Sequence, residues 1–159
     1  MMGDQSGKVA VVTGSNTGIG YYMARALASK GASVIMACRD PNKGEGARDR
    51  ILEEFPDSEV SASVLDLADL SSIEEFADCF PSEGGLDILI NNAGVMIPPK
   101  SRTKDGFELQ FGTNHLGHFA LTGRLLPILE RTDGSRVVTV SSIAHNPGFI
   151  DFELSLIHI

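Results

Sequence analysis

The chain has 159 residues, of which 42% are hydrophobic, and this length suits a single domain with a sizeable core. Its formal net charge at pH 7 is -8. This balance argues against a nucleic-acid groove or an anionic membrane surface as a partner, since both require clustered Lys and Arg.

Cysteine usage and the absence of targeting signals predict the compartment. Cys38 and Cys79 are the two cysteines, and they form neither a CxxC pair nor a disulfide framework, which favours a reducing environment. The first residues lack the apolar core of a signal peptide, and no apolar run is long enough to cross a bilayer. We therefore expect a cytoplasmic protein with no membrane span.

The first two predicted elements are a strand and a helix. "KVAVVTG" at 8–14 is rich in β-branched residues and has no polar face, as expected of a strand covered on both sides. A four-residue spacing then predicts a helix that ends at Gly31. Its apolar stripe is Ile19, Met23 and Leu27.

The second strand and helix follow directly. "SVIMAC" at 33–38 is predicted as a strand, and Asp40 with Pro41 provides an N-cap and a first-turn proline. The helix ends at Pro56. Its apolar stripe is Ala47, Ile51 and Phe55.

"VSASVLDL" at 60–67 predicts the third strand, and Ser71 with Glu74 predicts a capping box for a helix that runs through Phe80. "LDILINNAG" at 86–94 predicts a fourth strand that leads into a polar turn.

A long helix is predicted to start near Asp105, and "SRVVTVSS" at 135–142 is the fifth strand. Five strands with intervening helices predict an α/β fold with a doubly wound, parallel, Rossmann-type sheet. We assign residues 1–153 to this one domain. The apolar positions expected to pack in the long helix are Phe107, Phe111, Leu121, Leu125 and Leu129.

Polar residues follow each predicted strand, at the edge of the sheet where open α/β folds bind ligands. Gly14, Gly18 and Gly20 form a strand-to-helix turn whose backbone can approach a pyrophosphate at the helix N-terminus. An NTPase phosphate loop is excluded because it ends in GK[ST], where this chain has Ile19 and Gly20. A purely structural glycine turn remains the alternative.

The end of the second predicted strand bears on cofactor choice. NAD-binding folds place an acidic residue there for the ribose hydroxyl, whereas this chain has Arg39, which suits the 2′-phosphate of NADP. Asp40 is interpreted as the helix cap, with a ribose contact as the alternative. Arg39 as a solvated surface charge also stays open, so NADP is predicted and NAD is less favoured.

Four motifs in this order resemble the short-chain dehydrogenase/reductase family. They are "TGSNTGIG" at 13–20, "NNAG" at 91–94, Asn114 within "NHLGHF", and "VVTVSS" at 137–142. "ACRD" and "FGTNHLGHFALT" resemble its retinol-dehydrogenase-like branch. The resemblance covers residues 8 to about 153.

The resemblance implies a cofactor role for fourteen residues. The pyrophosphate would be held by Thr13, Gly14, Ser15, Asn16, Thr17, Gly18, Ile19 and Gly20. The 2′-phosphate would be held by Arg39, the adenine edge by Asp66 and Leu67, and the adenosine side by Asn91, Ala93 and Gly94. Asn91 and Asn92 as simple turn formers remain an alternative.

The family's chemistry uses a Ser, a Tyr, a Lys and an Asn together. Ser142 resembles the serine that binds the substrate oxygen, and Asn114 resembles the asparagine whose helix holds a water in the proton relay. The tyrosine should precede the lysine by four positions so that the ammonium lowers the phenol pKa. The two tyrosines are Tyr21 and Tyr22, in the first predicted helix, and no lysine follows Lys104.

We therefore expect a chain truncated before the Tyr-x-x-x-Lys motif, with foreign sequence at 154–159. The parent would transfer a hydride between NADP(H) and an alcohol or carbonyl substrate, and the family resemblance implies a homo-oligomer. The alternative is a dinucleotide-binding fragment without catalysis. No metal site is predicted, because His115 and His118 lack a third ligand at matching spacing.

Overall fold

The computed structural model describes residues 2–80 and 84–143, so the expected tail at 154–159 and the last ten residues of the predicted domain lie outside it. The strands are Val9–Thr13 (β1), Ser33–Cys38 (β2), Val60–Val64 (β3), Ile88–Asn91 (β4) and Arg136–Thr139 (β5). The helices are Gly18–Ala28 (α1), Pro41–Glu54 (α2), Leu70–Asp78 (α3), Leu109–Phe111 (α4) and His118–Arg131 (α5). A π-helical turn, Gly112–Gly117, joins α4 to α5.

The five strands form one parallel sheet in the order β3-β2-β1-β4-β5. This order confirms the predicted doubly wound topology. β1 lies at the centre, and its residues Ala10, Val11 and Val12 are fully buried, as its unbroken apolar sequence predicts.

Helices cover both faces of the sheet. On one face, Leu27 of α1, Ile51 of α2 and Met36 of β2 belong to one buried apolar cluster. On the other face, Ile73 of α3 and Leu121 of α5 belong to the second buried cluster. The sheet is thus held between two apolar layers, which leaves the strand ends for binding.

The ends of α2 and α3 are capped by aspartates. Asp40 accepts a hydrogen bond from the Lys43 amide at 3.1 Å, which confirms it as the cap of α2. The predicted capping box of Ser71 and Glu74 is wrong, because Asp69 caps α3 and accepts from the Ser71 amide at 2.9 Å. α3 also ends at Asp78, short of the predicted Phe80.

The long helix begins at Leu109, later than the predicted start near Asp105. Residues 102–108 fold back on themselves. The Thr103 amide donates to the Phe107 carbonyl at 2.8 Å, and the backbones of Arg102 and Glu108 form an antiparallel β-bridge. The Glu108 carboxylate then caps the helix by accepting from the Gln110 and Phe111 amides.

The fold-back changes which apolar residues pack. Phe107 is 37% exposed and Phe111 is 38% exposed, so their predicted packing is wrong. Leu121, Leu125 and Leu129 are buried as predicted.

Two of the glycines in the long helical segment are explained by contacts within the chain. A methyl group at Gly112 would collide with Thr103, and one at Gly117 would lie 2.9 Å from the Leu67 side chain. Gly123 faces open space. Close approach at Gly112 and Gly117 therefore serves the fold of this chain itself.

β5 lies at one edge of the sheet, and all four of its residues are exposed. Among the described residues, this apolar strand therefore forms an exposed edge of the sheet. Within residues 2–80 and 84–143, the helices are too short or too polar to cross a lipid bilayer.

Candidate cofactor site

A cleft of about 370 Å³ opens at the carboxyl ends of the central strands. Eleven of the fourteen predicted cofactor residues line it: Thr13, Gly14, Asn16, Thr17, Ile19, Gly20, Arg39, Asp66, Leu67, Ala93 and Gly94. Sequence reasoning missed five further lining residues, namely Ala37, Leu65, Asn92, Val95 and Thr113.

The glycine turn is shaped by the loop that follows β4. Gly14 has a φ of 64°, and a methyl group there would lie 2.8 Å from Ala93 Cα. A methyl group at Gly20 would lie 2.6 Å from the Gly14 carbonyl oxygen and would collide with Asn92. Glycine is thus required at both positions for the two loops to meet at the floor of the cleft.

The N-terminus of α1 has no side-chain cap. Thr17 occupies the N-cap position without a side-chain hydrogen bond, and the first turn has no acidic residue. The N-termini of α2 and α3 carry Asp40 and Asp69 at the same position. The first turn of α1 thus presents amides and the positive end of its dipole to the cleft without a side-chain carboxylate.

Ile19 lies at this helix start and is 63% exposed. The predicted stripe of Ile19, Met23 and Leu27 is therefore wrong at its first position. Met23 is partly buried against the core and Leu27 is fully within it, because the core-facing side of α1 begins one turn later.

Thr13 joins the end of β1 to the loop after β4. Its hydroxyl oxygen accepts from the amides of Asn92 at 2.9 Å and Ala93 at 3.0 Å, and the Asn92 side chain donates to the Thr13 carbonyl at 2.8 Å. Thr13 is fully buried, so it supports the floor of the cleft from below.

Ser15, Gly18 and Asn91 are the three predicted cofactor residues that do not line the cleft. The Ser15 hydroxyl points into the interior and donates to the Val12 carbonyl at 2.9 Å. The Asn91 side chain donates to Thr122 of α5 at 3.0 Å. The Ser15 and Asn91 side chains therefore support the strand ends, and Asn92 takes the place by the cleft that was predicted for Asn91.

Arg39 and Asp66 lie on the cleft at the ends of β2 and β3. Arg39 forms no hydrogen bond or ion pair with any residue in the described ranges, although Asp40 is adjacent in sequence and is engaged as a cap. One Asp66 oxygen accepts from the Ala68 amide at 2.9 Å, which fixes the turn after β3.

Asn114 lies in the π-helical turn, and both the oxygen and the nitrogen of its side-chain amide bind the backbone of Val95. Its Oδ1 accepts from the Val95 amide at 2.8 Å, and its Nδ2 donates to the Val95 carbonyl at 2.8 Å. This contact brings the segment that carries Asn114 to the loop at Gly94. Ser142 is exposed beyond the end of β5, and the roles of Ser142 and Asn114 remain predictions.

The buried hydroxyl of Thr113 bears on what the cleft can hold. Thr113 lines the cleft and is 9% exposed, and its hydroxyl has no hydrogen-bond partner within residues 2–80 and 84–143. An orphaned hydroxyl in a cleft is suited to a polar ligand. The open helix terminus, Arg39 and Thr113 together fit an anionic, hydrogen-bonding group such as a dinucleotide.

His118 is 5% exposed and hydrogen-bonds Thr13 from the other side of the cleft floor. Burial lowers the pKa of His118 below its ordinary value; the hydrogen bond to the Asn114 carbonyl opposes this shift, and His115 adds a smaller lowering. In the part of the chain that the structure describes, no three His, Cys, Asp or Glu side chains lie close enough together to hold a metal ion.

The sheet order, the glycine turn and the cleft define a Rossmann-type α/β protein with a nucleotide-sized site at its strand ends. The sequence matches the short chain dehydrogenase family over residues 8–153. The chain therefore belongs to the short-chain dehydrogenase family, and within it the sequence is similar to retinol dehydrogenases.

Human retinol dehydrogenase 12 is 54% identical over 147 residues, which cover 92% of this chain and 46% of that protein. The chain thus spans less than half the length of this curated relative. An uncharacterized protein from Mycobacterium paratuberculosis is 49% identical with a TM-score of 0.83, over 96% of this chain and 52% of that chain.

Solved relatives contain either cofactor. A metagenomic short-chain oxidoreductase in complex with NADP is 29% identical with a TM-score of 0.77, over 89% of this chain and 65% of that one. A short chain dehydrogenase/reductase from Burkholderia phymatum in complex with NAD is 27% identical with a TM-score of 0.74, over 90% of this chain and 52% of that one.

Proposed function

We propose that this chain is the cofactor-binding part of an oxidoreductase that transfers a hydride between NADP(H) and an alcohol or carbonyl substrate. Family membership supports the reaction class, and the cleft supports the cofactor class. When bound, the nicotinamide cofactor supplies the hydride. The residues of this chain hold and orient it.

Arg39 is the observation that carries the choice of NADP. Arg39 lines the cleft at the end of β2, where NAD-binding folds use an acidic side chain for the ribose hydroxyl. It has no carboxylate partner in the described ranges, so its charge is available to a 2′-phosphate. Asp40, the adjacent acid, is occupied by the Lys43 amide.

The substrate class is proposed from the similarity to retinol dehydrogenase 12. A lipophilic alcohol or aldehyde such as a retinoid fits that similarity. Ser142 and Asn114 are the residues of this chain that we propose to act near the substrate oxygen. Acid–base catalysis would need a tyrosine and lysine pair that this sequence does not contain.

Dinucleotide binding without turnover is the second candidate function. Both tyrosines, Tyr21 and Tyr22, lie in α1, and Arg25 and Ala26 occupy the positions where the lysine of a Tyr-x-x-x-Lys motif would be. We therefore propose that the 159-residue chain by itself binds NADP(H) and does not catalyse the reaction.

A titration of cofactor binding tests the proposal. The chain has no tryptophan, so the emission of NADPH and NADH can be followed with little background. The chain should bind NADPH more tightly than NADH, and Arg39→Gln should weaken NADPH binding roughly ten- to hundredfold while sparing NADH. Equal affinity of the unaltered chain for both cofactors would contradict the choice of NADP.

Arg48→Gln is the matched control for that titration. Arg48 is a second arginine close in sequence, it pairs with Glu45 and Asp49 on α2, and it does not line the cleft. Its loss removes the same charge and should leave the preference for NADPH intact. Turnover of an aldehyde panel by the same samples would contradict the non-catalytic candidate.

We also propose that the whole protein self-associates. Phe119 is 74% exposed and Leu126 is 44% exposed, and both lie with Gly123 along α5 at helical spacing. Sedimentation of the chain with and without Phe119→Ser tests this point, because a monomer at all concentrations for both proteins would argue against it.

A further inference from the structure

His118 is a buried histidine that none of the roles proposed above requires. It is the first residue of α5, and it lies between the end of β1 and the turn that carries Asn114. Its Nε2 is 2.9 Å from the Thr13 hydroxyl oxygen, and its Nδ1 is 2.9 Å from the Asn114 carbonyl oxygen. Both ring nitrogens are therefore engaged, and each by an uncharged group.

The Thr13 hydroxyl determines which way the first of these bonds runs. Its oxygen has two lone pairs, and it accepts from the amides of Asn92 and Ala93 at 2.9 and 3.0 Å. Its single hydrogen can go to His118 Nε2 at 2.9 Å or to the Ile90 carbonyl at 3.3 Å. Since no lone pair is left to accept an Nε2–H, the ring nitrogen must be the acceptor.

The second bond fixes the tautomer. The Asn114 carbonyl can only accept, so His118 Nδ1 must carry the proton and donate it. All the bonds are satisfied at once only by the neutral imidazole with its proton on Nδ1. The structure thus specifies both a charge state and a tautomer.

We propose that neutral His118 is a positioning residue for the cofactor cleft. By accepting from Thr13 it holds the hydroxyl that anchors the Asn92 and Ala93 amides, and by donating to Asn114 it ties this floor to the π-helical turn. Its effect on NADPH affinity rests on the proposed function.

Protonation of His118 would break this arrangement. An imidazolium would direct Nε2–H at the Thr13 oxygen, whose lone pairs are already used, so a bond on the cleft floor must be lost. The groups that face the ring from β1, from β4 with its loop, and from the π-helical turn are hydroxyl, amide and carbonyl groups. Within residues 2–80 and 84–143, His115 is the one titratable side chain whose charge acts on the ring, and no carboxylate hydrogen-bonds to it.

The direction of the pH dependence follows from this environment. Burial disfavours the imidazolium and lowers the pKa of His118 below its ordinary value of about 6.5. When the hydrogen bond between Thr13 and His118 is broken, the ring is exposed and binds a proton more readily than in the hydrogen-bonded arrangement. The hydrogen-bonded arrangement is therefore fully present above pH 6.5 and is lost as the pH falls below it.

Two measurements on the full chain test the proposal. Nitrogen-15 NMR of the histidine rings should show His118 as the Nδ1–H tautomer, titrating below pH 6.5. NADPH titrations between pH 8 and pH 5.5 should show affinity falling more steeply with acid for the unaltered chain than for His118→Gln, by roughly three- to tenfold at the acid end. A glutamine oxygen can accept from Thr13 but does not titrate.

His115→Gln is the matched control. His115 is exposed and stacks on Phe111 at 5.2 Å, so its loss removes an imidazole without touching Thr13. It should keep a steep pH dependence whose midpoint lies slightly higher, because the small lowering of the His118 pKa by His115 is lost. Titration of the cofactor's own 2′-phosphate is common to all three proteins and cancels in the comparison.

The outcomes separate this inference from the proposed function. An Nε2–H tautomer, a pKa at or above 6.5, or the same pH dependence in His118→Gln would overturn the role of His118. Failure of the unaltered chain to bind NADPH at any pH would refute the proposed function, and the NMR result would still decide the state of His118. The NMR result also decides it if His118→Gln does not fold.

Discussion

Three helices of this protein begin beside the carboxyl end of a strand, and they begin in two different ways. α2 and α3 start with Asp40 and Asp69, whose carboxylates accept from amides in the first turn. α1 starts after Thr17, with no side-chain cap and no acid in its first turn.

The contrast shows where the molecule has kept its backbone donors available. A helix N-terminus without a cap is less stable than a capped one, and it also attracts anions. Among these three helices, α1 is the one whose start combines that property with an adjacent cleft, since Asn16, Thr17, Ile19 and Gly20 line it. The capped helices contribute stability, whereas the uncapped one is available for a ligand.

The largest expected effect comes from closing the space at the start of α1. Gly20→Ala puts a methyl group 2.6 Å from the Gly14 carbonyl and against Asn92, so one of the two loops must move. We expect the free energy of unfolding to fall by about 1–3 kcal/mol, as for other overpacked sites, together with loss of NADPH binding. Urea unfolding and the fluorescence titration measure the two effects.

Gly46→Ala is the control for that substitution. Gly46 lies within α2, and a methyl group there meets nothing within 4 Å. Replacing a solvent-facing helical glycine should raise stability by about 0.5–1 kcal/mol. If Gly20→Ala behaved like Gly46→Ala, the close approach of the two loops would have no energetic importance.

A medium effect is expected at the cap of α2. Asp40→Ala removes the acceptor of the Lys43 amide and should cost about 1 kcal/mol of unfolding free energy. Asp40→Asn keeps a capping oxygen and should therefore retain most of the unfolding free energy that Asp40→Ala loses. Both variants should bind NADH as the unaltered chain does. A selective loss of NADH binding in Asp40→Asn would favour the ribose contact instead.

The smallest effect is expected at the cap of α3. Hydrogen bonds, above all from Lys104 and then from Ser71, lower the pKa of Asp69 to about 2. Asp69→Asn keeps the capping oxygen and removes the charge. Because the folded pKa lies below the unfolded value, the stabilisation is fully present above about pH 4.

The difference in thermal midpoint between Asp69→Asn and the unaltered chain should therefore be small and constant near neutrality, and it should shrink as the pH falls from about 4 towards 2. A difference that grew with acid would show that the Lys104 contact does not account for the lowered pKa. Lys104 is exposed, so high salt should also reduce the difference.

The features that sequence predicts well are those decided within a few residues. The apolar run of β1, the Asp40 and Pro41 start of α2, and the leucines of α5 each follow a local rule that the packing does not oppose. The parallel, doubly wound sheet followed from the alternation of strands and helices. The motif residues of the cleft could be placed because the carboxyl ends of parallel strands meet at one edge.

The predictions that failed depended on distant contacts. Asp69 caps α3 in place of the predicted Ser71, and its carboxylate also binds Lys104, 35 residues away. The fold-back of residues 102–108 exposes Phe107 and Phe111, and no periodicity reveals it. Asn91 and Asn92 are adjacent and chemically alike, and their different partners, Thr122 of α5 for Asn91 and Thr13 of β1 for Asn92, follow only from the fold.

The most direct test of the central claim is a two-dimensional amide NMR titration of the chain with NADPH. We predict saturable shifts at the amides of residues 14–20 and at Arg39, while the amides at the capped starts of α2 and α3, such as Lys43 and Ser71, stay in place. Shifts at the capped starts with none at residues 14–20, or no shifts at all, would contradict the account.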